Sequence, residues 1–154
     1  MSTITESIDV DVDVRTAYNQ WTQFEMFPAF MEGVEYVRQI DDSHNHWKVD
    51  IGGVEREFKT VITEQEPDMR IAWTTTEGPS HEGVVTVHRL EDNKCRVTLQ
   101  MDYDPQGFVE VMGDAFGIVE ARVRGDLERF KTFIEDVDQE TGAWRGTIEQ
   151  SATS

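Results

Sequence analysis

One apolar stripe constrains this chain more than any other feature. Between Gly107 and Val137, apolar residues fall at Phe108, Met112, Phe116, Val119, Val123, Leu127, Phe130, Ile134 and Val137. Every step is three or four residues, so the stripe runs down one face of a single long helix. Asp104 followed by Pro105 offers an N-cap and a first-turn proline for its start. At about 1.5 Å per residue the helix extends roughly 45 Å. No other stretch forms a comparable helix, so the stripe must be buried against a sheet. Gly113, Gly117 and Gly125 interrupt it, each at a cost of roughly 1 kcal/mol relative to alanine. They either bring the helix backbone close to the sheet or, at Gly113 and Gly117, leave room for a ligand under its first half.

The sheet is legible upstream. Thr5 to Val14 alternates Ile8, Val10, Val12 and Val14 with acids, the pattern of a half-buried strand. Asp9, Asp11 and Asp13 lack the glycine and closing glutamate of a calcium loop. Asp13 can cap a short helix carrying Val14, Ala17, Tyr18 and Trp21, and a second short helix bears Phe24, Phe27 and Phe30 around Pro28. Strands then follow at Val34–Ile40, His44–Ile51, Val54–Glu64, Met69–Thr75, His81–Leu90 and Cys95–Tyr103, separated by turn residues such as Gly52-Gly53, Pro67-Asp68 and Gly78-Pro79-Ser80. Short connections pair such strands antiparallel, and a sheet of about seven of them curls. The fold class is therefore α+β, with the long C-terminal helix across the concave face. Residues 1–146 form one domain and 147–154 a polar tail expected to be disordered.

Charge and cysteine content narrow the function. The chain has 31 acidic against 14 basic residues in 154, a formal net charge of -17. That balance disfavours nucleic acid and anionic membrane surfaces as partners. No apolar run is long enough for membrane insertion and no secretory signal opens the chain, so the expected location is cytoplasmic, as monomer or homodimer. The lone Cys95 alternates with Val97 and Leu99 and reads as a buried strand residue.

In this order the elements resemble the helix-grip (SRPBCC, START-like) superfamily, and most nearly its bacterial polyketide cyclase/dehydrase family. The resemblance rests on Glu6-Ser7-Ile8-Asp9-Val10, Val14-Arg15-Thr16-Ala17-Tyr18, Trp21-Thr22-Gln23-Phe24-Glu25 and Phe30-Met31-Glu32-Gly33-Val34. It continues through Arg70-Ile71-Ala72-Trp73 and Leu127-Glu128-Arg129-Phe130-Lys131. It implies a cavity between sheet and long helix that holds a hydrophobic small molecule, a lipid or a polyketide-like ligand. The lining expected for it is Trp21, Phe24, Phe27, Phe30, Trp47, Phe58, Thr60, Trp73, Met101, Met112 and Phe116, residues that equally suit a solid core. An enzyme of the family, a cyclase, aromatase or dehydratase acting on a poly-β-keto substrate, would also need polar groups. Arg56 shares its strand face with Phe58 and can hold a carboxylate or enolate oxygen, or snorkel at a rim; His81 stands at a strand start beside Glu82, catalytic or simply solvent-facing. His44 and His46 lack a third ligand at a convincing spacing, and no phosphate loop, nucleophile elbow or Cys/His pair is present, so neither metal nor cofactor is expected.

Overall fold

Asp13 decides where the first strand ends. Its side chain accepts a hydrogen bond from the Thr16 amide at 3.0 Å while its own backbone stays extended. That cap starts α1 (Val14–Trp21), so β1 runs over Ser2–Val10 rather than to Val14. Val12 leaves the strand but stays in the core at 4% exposure. A 3-10 helix follows at Phe24–Ala29 with Pro28 inside it. The computed structural model describes residues 2–51, 53–103, 115–137 and 141–148, with the side chains of Ser2, Ile51, Ala115, Phe116 and Val137 outside that description.

Six strands then meander: β2 (Val34–Gln39), β3 (His44–Ile51), β4 (Val54–Glu66), β5 (Arg70–Glu77), β6 (His81–Glu91) and β7 (Lys94–Tyr103). Every pairing is antiparallel, and β1 adds beside β7, giving the order β1-β7-β6-β5-β4-β3-β2. The turn between β5 and β6 depends on Gly78. Its φ is +94°, and a Cβ there would sit 2.7 Å from the Glu57 carbonyl oxygen and from the Phe58 Cβ. The long helix α2 is described over Ala115–Val137. The expected start near Asp104, and Gly113 with it, lies outside the described residues.

The apolar stripe of α2 faces the sheet as its spacing requires: Val119, Val123, Leu127, Phe130 and Ile134 are all buried. Gly125 does not serve the expected close approach to the sheet, because a Cβ there would meet the Arg129 guanidinium instead. Residues 141–148 return across α1 through polar contacts. Gln20 accepts from the Thr141 amide at 2.8 Å, and Thr22 Oγ1 accepts from the Trp144 amide at 3.0 Å. Arg145 bonds Asn19 at 2.6 Å and pairs with Asp68 at 2.8 Å. Ile148, which composition places in the polar tail, exchanges two backbone hydrogen bonds with Gln65. Residues 149–154 lie outside the described residues.

Candidate functional site

Strand alternation aims a row of rings and aliphatic chains inward. Asn45 and Trp47 on β3 stand opposite Thr60 and Phe58 on β4, and Val49 and Ile62 continue the same inward face. The Trp47 indole donates to Thr60 Oγ1 at 3.0 Å and stacks on Phe58 with centroids 5.6 Å apart. Trp73 on β5 lies over Gly83 of β6, where a Cβ would come within 2.8 Å of its ring and of the Gln100 carbonyl oxygen. From α1 and the 3-10 helix, Trp21, Phe24 and Phe27 meet edge to face at 5.3–5.4 Å and close one end of the sheet.

These residues do not fill the interior. Between sheet and helix lies a cavity of about 160 Å³, where one water needs only roughly 10–15 Å³. Trp21, Phe24, Phe27, Trp47, Phe58, Thr60, Trp73 and Met101 all line it. Phe30 does not: at 1% exposure it packs on Trp21, Phe130 and Phe133 within the solid core. Met112 and the Phe116 side chain lie outside the described residues. Arg56, opposite Val49 on the ladder, is absent from the wall; its guanidinium donates to the Glu55 carbonyl at 3.0 Å.

His81 is not solvent-facing. It is 5% exposed, lines the cavity, and meets the edge of Phe58 with centroids 4.7 Å apart. Burial pushes its pKa down to about 4, only partly opposed by the backbone hydrogen bond at Pro79. Nδ1 lies 3.1 Å from the Pro79 carbonyl oxygen. That oxygen can only accept, so the neutral ring carries its proton on Nδ1 and its lone pair on Nε2. Cys95, fully buried, has its thiol pushed up to about 11 by burial and is an inert core residue.

Sequence reasoning missed the charged groups of the wall, Arg122 and Asp126. They flank the apolar stripe of α2 and read in sequence as its solvated margin. Burial raises the Asp126 carboxyl above the ordinary range, against the opposing pull of the Arg129 guanidinium. Glu32, in the turn before β2, sits 3.4 Å from Arg122 and 3.2 Å from Arg129, and its amide donates to Asp126 at 3.3 Å. An ion-pair cluster thus ties α2 to that turn beside the cavity. Asn45 was also missed, although it alternates with Trp47 and Val49 and the same periodicity could have found it. On the outer face, Glu35, Asp50 and Glu55 converge, with Lys48 paired to Glu35 at 3.5 Å and to Glu55 at 4.0 Å.

Residues 10–132 match the family described as polyketide cyclase / dehydrase and lipid transport. An uncharacterized 17.2 kDa protein from the melC2–rnhH intergenic region of Streptomyces lincolnensis is 54% identical over 149 residues, covering 96% of this chain and 99% of its own. Among solved structures, the ZhuI aromatase/cyclase of a Streptomyces species superposes with a TM-score of 0.75 at 14% identity, over 93% of this chain and 99% of its own. A START superfamily protein of Mycobacterium smegmatis does so with a TM-score of 0.74 at 14% identity, over 88% and 98%. Among the described residues no helix is long and apolar enough to cross a membrane. The seven-stranded curled sheet gripping a long C-terminal helix is the helix-grip fold, and the chain belongs to the polyketide cyclase/dehydrase and lipid transport family.

Proposed function

We propose that this protein binds a hydrophobic small molecule, lipid or polyketide-like, in the cavity between its sheet and α2. The observation that carries the reading is the cavity itself, walled almost wholly by rings and aliphatic chains where a domain of this size has every means to pack solid. Trp21, Phe24, Phe27, Trp47, Phe58, Thr60, Trp73 and Met101 supply the contact surface. Adjustable Met31 and Met101 side chains let that surface adapt to its guest. Titration with the neutral fluorophore N-phenyl-1-naphthylamine tests this, together with native mass spectrometry of the protein as purified. Saturable one-to-one uptake with an emission rise is expected; absence of uptake ends the reading.

A second reading, cyclase, aromatase or dehydratase chemistry on a poly-β-keto substrate, draws on one observation: a neutral imidazole in the wall with its lone pair on Nε2. A base with pKa near 4 takes protons weakly at neutral pH, which favours binding over catalysis for this cavity. If catalysis occurs, His81→Gln abolishes turnover, while Arg56→Ala, outside the wall, leaves it nearly intact. Turnover undiminished in His81→Gln would remove the enzyme reading.

A further inference from the structure

The cavity is not enclosed alike on every side. Across its floor, β3 to β7 are joined by backbone pairing, and at one end Trp21, Phe24 and Phe27 interlock edge to face. The two flanks of α2 differ. On one, Arg124 pairs with Glu6 at 3.1 Å and Lys131 donates to the Asp9 carbonyl at 3.0 Å, but no described residue of β1 lines the cavity. On the other, Met31 from the turn before β2 and Arg122 and Asp126 from α2 all line it. Glu32, the neighbour of Met31, joins the two sides. Its carboxylate pairs with Arg122 at 3.4 Å and with Arg129 at 3.2 Å, and its amide donates to Asp126 at 3.3 Å. The Glu32 side chain is 65% exposed and is not part of the wall. At this seam alone among the described residues, the wall is bonded through an ion pair to a residue that stands in solvent.

We propose that the ligand enters between Met31 and Arg122, and that Glu32, paired with Arg122 and Arg129, is the latch that keeps this entry shut. The proposal rests on the binding function above and adds the route by which the ligand arrives. Entry elsewhere would part packed rings or backbone pairs, which costs buried apolar area or hydrogen bonds. Entry here exchanges surface ion pairs for water, and exposed pairs are worth little. The backbone of the turn is fixed at both ends: Phe30 is sealed against Phe130 and Phe133, and the Gly33 carbonyl accepts from the Asp50 amide at 2.7 Å. The moving parts are therefore side chains, the flexible Met31 and the long arm of Arg122. Gly33 keeps the gap behind them clear. The Arg122 stem crosses it, with Cδ 3.4 Å from where a Cβ would stand, so a swing of that stem uncovers backbone and no further side chain. Glu32 does not line the cavity, so its pairs are the same whether the cavity is empty or filled. Weakening them speeds entry and exit together and leaves affinity alone, which separates a gate from a ligand contact.

Stopped-flow fluorescence of the full chain with N-phenyl-1-naphthylamine reads both rates. The probe is neutral, so the net charge of -17 does not steer its encounter. Glu32→Gln keeps the side chain's length and removes its charge; association and dissociation are both expected to rise about two- to fivefold, with Kd unchanged. Glu6→Gln, which unpairs Arg124 on the opposite flank of α2, is expected to leave both rates as they are in the unsubstituted chain. Raising sodium chloride from about 0.05 M to about 0.5 M screens the same pairs without any substitution and is expected to speed both rates. That measurement serves if Glu32→Gln fails to fold by circular dichroism. Rates unchanged in folded Glu32→Gln, rates indifferent to salt, an equal gain in Glu6→Gln, or a shift in Kd carried by one rate alone overturns the gate and leaves the binding function standing. If the probe is not taken up at all, the binding function fails and the gate fails with it.

Discussion

The two halves of α2 face the same sheet and meet opposite conditions. Toward its C-terminus, Phe130 and Ile134 are wholly buried, and Phe130 packs 5.0 Å from Trp21 and 5.2 Å from Phe30. Toward its N-terminus the buried residues, among those described, are Val119 and Val123, which line the cavity together with Trp47, Phe58, Leu99 and Met101. One stripe at one spacing thus covers a solid core and a hollow. Side-chain size differs in step: valines stand over the hollow and a phenylalanine over the solid core.

Truncation should expose that asymmetry most sharply. Phe130→Ala removes a ring from close packing and should cost about 3–5 kcal/mol. Val123→Ala removes carbon beside existing space and should cost about 1 kcal/mol or less. Equal losses in denaturant titrations would mean that the two halves are packed alike. Acid comes next, through His81 at the hollow end. Its pKa in the folded chain, about 4, lies below the ordinary 6.5. Between those values the unfolded chain binds a proton that the folded chain refuses. Its contribution to stability is therefore complete above about pH 6.5, declines as pH falls, and is lost by about pH 4. The full loss is on the order of 3 kcal/mol. His81→Gln should flatten this part of the wild-type decline in denaturation midpoint between pH 7 and pH 4; an unchanged slope would mean that the imidazole is hydrated and readily charged.

The solid half and the strands were legible in sequence because periodicity writes them directly. The α2 stripe, the alternation through β3 to β7 and the Asp13 cap all follow from residue spacing. The hollow was legible only in its ingredients. Phe27 and Phe30 look alike in sequence, three residues apart on the same short segment, yet one lines the cavity and the other seals the core against Phe130. Whether a ring touches another ring or a void depends on how far α2 stands from the sheet, a tertiary distance that spacing does not carry. His81 stood out as a candidate, but its burial was hidden by its place after a Gly-Pro-Ser turn, which normally means solvent. Arg122 and Asp126 were hidden because charged residues beside a stripe normally are solvated. Asn45 was not hidden; its alternation with Trp47 already placed it inward.

Gly83 gives a smaller effect on the sheet side of the hollow. Its missing Cβ leaves space for the Trp73 ring, but the Gln100 carbonyl oxygen, also 2.8 Å from that position, belongs to the backbone and cannot swing away. Gly83→Ala should therefore cost about 1–3 kcal/mol through overpacking even beside a cavity, read as a lowered midpoint in chemical denaturation. A cost near zero would mean that β6 and β7 can part at this rung.

The mildest change in stability should accompany the most complete change in function. Val119 is 2% exposed and faces the hollow from the helix side. In a filled core, enlarging a valine to phenylalanine forces neighbours off their rotamers and costs about 1–3 kcal/mol. Over a cavity, the added ring has somewhere to go: it gains contact with Leu99 and Met101 and takes the place a ligand would occupy. Val119→Phe should thus shift stability by less than about 1 kcal/mol in either direction, while uptake of N-phenyl-1-naphthylamine disappears. The two readouts have to move independently. A variant that loses both stability and uptake shows a distorted core, whereas one that keeps both shows that the ligand space lies elsewhere, and either result removes the difference between the two halves of α2 on which the functional reading stands.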